Sequence, residues 1–262
     1  MFGVVPKSIW QKTNPADENN LCNWAMRCLL IEEGDKLMLI DNGIGDKQDA
    51  KFLSHYHLSG DDSLITSLHK AGFRESEVTD MFLTHLHFDH CGGSVKYKDG
   101  GAVLTFSNAR YWSNPQHWKW ATQPNAREKA SFLRENIVPI QESAHLHFAD
   151  AEQPSPFSFM DIFYASGHTD HMMIPKIRYK EKVICFMADL LPSVGHIPLP
   201  YVMGYDTRPL LTLEEKERFL NEAADNRYIL FLEHDPINEC CTVKRTERGI
   251  RLDEAFPLSA VL

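Results

Sequence analysis

His85-Leu86-His87-Phe88-Asp89-His90 lies directly after an apolar run, residues 78–83, and directly before Cys91-Gly92-Gly93. Three imidazoles and a carboxylate in one short segment form a ligand set suited to zinc and other borderline first-row ions. Alternate positions of an extended loop point to the same side, so one loop can present several of these groups together. A surface histidine cluster is the plain alternative. In a chain with 13 histidines among 262 residues, this spacing is too ordered for accident, and the segment reads as a metal loop at a strand end.

The rest of the chain supplies groups that such a loop lacks. Gly167-His168-Thr169, Ala188-Asp189-Leu190 and Glu233-His234-Asp235 each follow a run with strand character, at 157–165, 182–187 and 228–232. Taken singly, His168 or His234 could be a surface or core histidine. Asp189, after an apolar strand, would be an awkward half-buried carboxylate without a partner. Their shared placement at strand ends suggests loops on one rim of a sheet scaffold, where rigid strands bring distant residues around one cleft.

These motifs resemble those of the metallo-β-lactamase-fold hydrolase superfamily, matched in order by Asp41, His85-x-His87-x-Asp89-His90, His168, Asp189 and His234. The resemblance implies an α+β fold, a four-layer αββα sandwich. It also implies two divalent metal ions, zinc first, with manganese, iron or cobalt as substitutes. His85, His87 and His168 would hold one ion, Asp89, His90 and His234 the other, and Asp189 would bridge them. Asp41, in Asp41-Asn42-Gly43, matches a turn whose carboxylate usually holds a ligating ring from behind, although Asp and Gly also form ordinary turns.

The layout is closest to the N-acyl-homoserine-lactonase and methyl-parathion-hydrolase-like branch. The basis is the opening Phe2-Gly3-Val4-Val5-Pro6-Lys7 arm, the middle insertion with Tyr111-Trp112 and Trp118, and the interval from Asp189 to His234. Two features depart from it. The lactonases usually place a tyrosine shortly after the bridging aspartate, where this chain has Pro192. The third-histidine motif reads Gly-His-Thr-Asp-His rather than Gly-His-Thr-Pro-Gly-His. Tyr201 or Tyr205 could replace the missing tyrosine.

The chemistry implied is hydrolysis of a lactone or ester of a small, partly apolar molecule. Water held between two divalent ions loses a proton near neutral pH, and the resulting hydroxide can attack a polarised carbonyl. Asp89 is the expected catalytic residue, orienting the nucleophile and carrying its proton to the leaving alkoxide. Phosphotriester or phosphodiester hydrolysis is the alternative on the same site, ahead of thioester hydrolysis or metal binding without catalysis. Phe88, Trp112, Trp118, Trp120, Leu190 and Leu191 are candidates for an apolar substrate wall, or for packing the middle helices. His171, His196 and Asp206 are further polar candidates. Cys91, next to His90, is either a variant ligand or a small packed residue.

Composition fits one globular domain, residues 1–262, with an N-terminal arm at 1–20 and a helical insertion at 108–140. With 43% hydrophobic and 24% charged residues, the chain is neither disordered nor membrane-like. No apolar run approaches the roughly 20 residues of a membrane span. A net charge of −9 argues against sequence-independent nucleic-acid binding, which needs a basic surface. The six cysteines form no C-x-x-C pair and are expected as free thiols. The N-terminus lacks the pattern of an export signal, so a cytoplasmic location is expected. Val4, Val5, Ile9 and Trp10 make the arm apolar enough to suggest a homodimer contact.

The coarse order of elements is two strands at 25–31 and 36–40, a helix at 61–71, a helix-rich stretch at 114–136 divided by Pro124, and further strands to 187. Thr212-Leu213-Glu214-Glu215 carries a capping-box signature for a helix reaching about residue 224. The basic stretch 243–248 reads as a solvated strand or turn. Two β-then-α halves result.

Overall fold

The computed structural model describes residues 1–262. The chain divides into two compact units, one formed by residues 28–150 and the other by residues 1–27 with 151–262.

The 28–150 unit contains seven strands: β1 (Leu29–Glu33), β2 (Lys36–Ile40), β3 (Asp80–Phe82), β4 (Val95–Lys98), β5 (Gly101–Leu104), β6 (Arg110–Ser113) and β7 (Leu146–Phe148). Five form a sheet in the order β1-β2-β3-β6-β7, and β4 pairs with β5 in a separate hairpin. β1 and β2 are antiparallel, joined through Gly34, whereas β2, β3, β6 and β7 are mutually parallel. Every residue of β3 is buried, as expected of a strand with parallel neighbours on both sides.

Asp80, in that strand, is fully buried, but its carboxylate accepts from Trp112 Nε1 at 2.8 Å and pairs with Arg110 at 2.9 Å. Charge and hydrogen bonds thus offset its desolvation. Around the sheet lie α2 (Ala50–Ser54), α3 (Leu64–Lys70), α4 (Phe88–Cys91), α5 (Pro115–Thr122) and α6 (Arg134–Glu142). Leu39, Met81, Tyr111, Trp118 and Ile140 share this unit's core. Pro124 falls between α5 and α6, as its lack of an N–H predicts.

The other unit begins with the short α1 (Lys7–Trp10) and continues with β8 (Met160–Ala165), β9 (Met172–Tyr179), β10 (Lys182–Phe186), α7 (Pro209–Asn226), β11 (Ile229–Phe231), β12 (Cys240–Thr246) and β13 (Gly249–Phe256). Its sheet order is β13-β12-β11-β10-β9-β8. β10 and β11 are parallel, and the remaining neighbours are antiparallel. Because β9 runs against both β8 and β10, the strands β8, β10 and β11 all point the same way.

α7 begins one turn earlier than the capping-box signature suggests. Pro209 occupies its first turn and Thr212 lies inside it. Proline is pre-set for a first turn, and Thr212 Oγ1 donates back to Arg208 O at 3.4 Å. The basic 243–248 stretch ends β12 and turns into β13, with Lys244, Arg245 and Thr246 exposed. In the N-terminal arm, Phe2 is buried and stacks on Trp10 and His196, at 5.2 and 4.3 Å between ring centroids, while Val4 and Ile9 are exposed. No helix is long and apolar enough to cross a membrane.

Candidate metal centre

In the 28–150 unit, Asp41 follows β2 and the His85–His90 segment follows the parallel β3, so both emerge at the same end of the sheet. Asp41 has φ +55°, a left-handed conformation that aspartate tolerates better than most residues. Its buried carboxylate accepts from Thr84 N at 2.8 Å, Thr84 Oγ1 at 2.6 Å and His90 Nδ1 at 2.9 Å. Since Thr84 Oγ1 gives its proton to Asp41, it is an acceptor for His85 Nδ1 at 3.1 Å. Both rings therefore carry their proton on Nδ1 and turn a lone pair on Nε2 the other way. Asp41 thus meets two imidazoles, His90 directly and His85 through Thr84.

His85 Nε2 lies 3.1 Å from His87 Nδ1, and His90 Nε2 lies 3.9 Å from Asp89 Oδ2. Two ligands around a tetrahedral ion with bonds of about 2.0–2.1 Å stand about 3.3 Å apart. The spacing suits metal ligands. The segment is further fixed by His117 of α5, whose Nε2 accepts from Leu86 N at 2.9 Å. His85 and His90 are fully buried, and the Asp89 side chain keeps a third of its surface exposed.

In the other unit, His168 follows β8, Asp189 follows β10 and His234 follows β11, three strands of one direction. Asp189 Oδ2 is 3.0 Å from His168 Nε2, and Asp189 Oδ1 is 3.1 Å from His234 Nε2. Each carboxylate oxygen thus shares a point with a different imidazole. Behind the rings, His168 Nδ1 donates to Asp206 Oδ1 at 3.0 Å and His234 Nδ1 donates to Ala25 O at 2.8 Å.

Burial opposes charge on His168, but Asp189 and Asp206 outweigh it and push its pKa up to about 10. Asp189, which burial alone would raise, is held well below the usual carboxylate range by His168 and His234. These carboxylates favour positive charge at this point of the unit, which a divalent ion supplies. Gly167 lets the His168 turn meet α7: a Cβ there would stand 2.4 Å from Thr212 N. Glu215 of α7 accepts from Ser166 N at 2.8 Å and Gly167 N at 2.9 Å, securing that turn.

The candidate substrate residues are placed differently from one another. Phe88 meets Phe52 and Tyr56 at 5.4 and 4.8 Å between ring centroids. Trp112 is committed to Asp80, and Trp118 belongs to the core. Leu191 and His196 are buried, Tyr201 is half-buried and Tyr205 is 61% exposed. Burial, then the nearby Lys216 charge, lowers the His196 pKa to about 3, and its Nδ1 shares a hydrogen with Ser193 Oγ at 2.9 Å. Cys91 is fully buried with its thiol pushed up to about 12 by desolvation, the state of a packed residue, and all six cysteines are free. Sequence reading did not single out Thr84, His117 or Glu128, and it took Glu215 only as part of a capping box. Only Thr84, adjacent to His85, carried a positional hint.

The metallo-beta-lactamase superfamily model matches residues 27–234. An N-acyl homoserine lactonase from Bacillus cereus is 23% identical over 132 residues, 46% of this chain and 46% of that protein, so the match spans about half the length of that relative. A probable metal-dependent hydrolase from Staphylococcus aureus is similar in structure over 98% of this chain and 90% of its own, with TM-score 0.87 and 26% identity. AidC, a dizinc quorum-quenching lactonase solved with a product, is similar over 89% of this chain and 81% of its own, with TM-score 0.72 and 26% identity. With its family model matched over residues 27–234, this chain belongs to the metallo-β-lactamase superfamily and has its α+β fold.

Proposed function

We propose that this chain, a metal-dependent hydrolase by family, opens a lactone or cleaves an ester of a small, partly apolar molecule. His85, His87 and His168 would hold one divalent ion and Asp89, His90 and His234 a second, zinc in both, with Asp189 shared. The observation that carries the two-ion reading is the Asp189 carboxylate, with one oxygen toward His168 and the other toward His234. The lactone reading is supported by the relatives described as lactonases.

Divalent ions held there would supply a hydroxide nucleophile near neutral pH and polarise the substrate carbonyl. The chain's own groups do the rest. Asp41, Thr84, Asp206 and the Ala25 carbonyl fix which nitrogen of His85, His90, His168 and His234 offers its lone pair, so these four need little rearrangement. Asp89 directs one oxygen toward His90 and retains access to solvent. Its carboxylate takes the nucleophile's proton and returns it to the leaving alkoxide.

The test is proton release in a pH-stat when zinc-loaded protein meets a long-chain acyl-homoserine lactone. Asp89→Asn at equal metal content is expected to lower kcat by about 10²-fold or more, with a much smaller change in KM. An unchanged kcat would remove Asp89 from the proton-transfer role. Silence from fully loaded wild-type protein would discard the lactone and bring phosphotriesters to the front.

A further inference from the structure

Four of the five ligand histidines share one arrangement: Nδ1 is tied to an oxygen, and Nε2 is turned toward the neighbouring ligand. His87 is reversed. Its Nδ1 is the atom 3.1 Å from His85 Nε2, so its Nε2 points away, and there it meets Glu128 Oε1 at 3.6 Å. A neutral imidazole has a single N–H, and a metal takes the lone pair of the other nitrogen. For His87 to ligate through Nδ1, the proton must stay on Nε2, facing Glu128.

Glu128 is only 3% exposed, in the stretch between α5 and α6. Its Oε2 accepts from Trp120 Nε1 at 2.7 Å and from Asn125 Nδ2 at 2.6 Å, while Oε1 lies toward His87. The backbone is set by Asn125, whose Oδ1 accepts from Arg127 N at 2.8 Å and Glu128 N at 3.1 Å. The same stretch grips the metal loop directly. Phe88 N donates to Ser131 O at 3.0 Å, and the Phe132 ring lies 4.8 Å from that of His87. A buried carboxylate held by two donors on one oxygen and facing an imidazole with the other is costly to desolvate. An orienting role would explain why the fold keeps it there.

We propose that Glu128 is a positioning residue for His87, holding the Nε2–H tautomer so that Nδ1 is presented to the metal. The proposal rests on the reading above in which His87 is a ligand. It assigns the segment between α5 and α6 a part in metal retention. A ring adjustment of under about 1 Å closes the 3.6 Å approach to a charge-assisted hydrogen bond.

The full-length protein, stripped and reloaded with zinc against a chromophoric chelator, gives stoichiometry and affinity for wild type, Glu128→Ala, Glu128→Gln and His87→Ala. His87→Ala is expected to lose one of two zinc ions. Both Glu128 variants are expected to bind that zinc 10–100-fold more weakly and the other nearly as before. Glutamine is the informative change. Trp120 and Asn125 claim its carbonyl oxygen, so its NH2 faces Nε2, where two donors oppose each other; a space-filling role would survive this substitution. Long-range proton–nitrogen spectra of the loaded wild type are expected to show His87 protonated at Nε2. Wild-type affinity in Glu128→Gln, or a His87 proton on Nδ1, would overturn the role of Glu128. Both zinc ions retained in His87→Ala would instead overturn His87 as a ligand. The metal-free unfolding midpoint of Glu128→Gln separates either result from misfolding.

Discussion

Lys216 is buried to 1% exposure, and its Nζ donates to three backbone carbonyls, His196 O and Tyr201 O at 3.0 Å and Pro198 O at 3.3 Å. One side chain of α7 thereby holds the loop that leads to Tyr205 and to Asp206, the partner of His168. Burial lowers its pKa to about 7, with Asp206 pulling the other way. Between that value and the ordinary 10.5 the unfolded chain carries a proton that the folded chain lacks, so this residue's contribution makes stability rise with pH. His168 does the reverse in metal-free protein. Its pKa is raised from 6.5 to about 10, so its contribution is full below 6.5 and is lost as pH rises through 10. Lys216→Met removes the rising contribution. It is expected to destabilise the protein by roughly 2 kcal/mol, because carbonyls lose their donor, and to leave stability falling more steeply from pH 7 to 10. Urea midpoints at pH 7, 8 and 9 in excess chelator check this, and profiles parallel to wild type would refute it. At this scale the candidate ligands were legible because four of them fall within six residues, 85–90. Lys216 and Glu128 act across gaps of 15 or more residues, and no local pattern marks such partners.

In the 28–150 unit, the element that positions the candidate ligands is the loop after β3, in contact with the loop after β2. A Cβ on Gly92 would stand 2.1 Å from Ile44 O and 2.5 Å from Ile44 C, and one on Gly93 would stand 2.3 Å from Asn42 O. Those atoms are backbone and cannot swing aside. Only glycine permits the two loops to approach closely enough for Asp41 to reach His90. Gly92→Ala is therefore expected to force the loops apart, cost about 1–3 kcal/mol and weaken metal binding. Unfolding midpoints and metal content measured on the same sample check it, and a fully loaded variant of wild-type stability would show that the loops yield. Strands β1, β2, β3, β8, β10 and β11 were anticipated to within about four residues, because apolar runs bounded by turns report strand burial, whereas β6 lies inside the stretch expected as a helical insertion, 108–140, and pairs between β3 and β7. The start of α7 was not anticipated either. Thr212-x-x-Glu215 has the letters of a capping box, but Pro209 opens the helix earlier and Glu215 is drawn to Ser166 N and Gly167 N instead. A side chain caps whichever N–H groups the tertiary structure brings to it.

On the scale of the whole molecule, the seven candidate ligands divide four and three between the two compact units. If both units contribute to each ion as proposed, zinc stabilises the entire chain. At a free ion concentration 100 times Kd, one such ion adds about 2.7 kcal/mol. For a chain of this size, each kcal/mol raises the midpoint by about 2–4 °C. Chelation is therefore expected to lower a single calorimetric transition by about 5–10 °C per ion lost. Two transitions, of which only one responds to chelator, would show that the ions belong to one unit alone. The sequence by itself determined the candidate metal loop, the order of the family's motifs and the alternation of strands and helices. These are local properties, written in the spacing of a few side chains and the periodicity of apolar runs. The tertiary structure alone decided which nitrogen of each histidine faces its fellow ligand, that Asp189 divides its oxygens between two imidazoles, and that Trp118 and Leu191 are packed inside. Ring orientation and burial depend on groups far away in the chain, and only the folded backbone brings those groups within hydrogen-bonding distance.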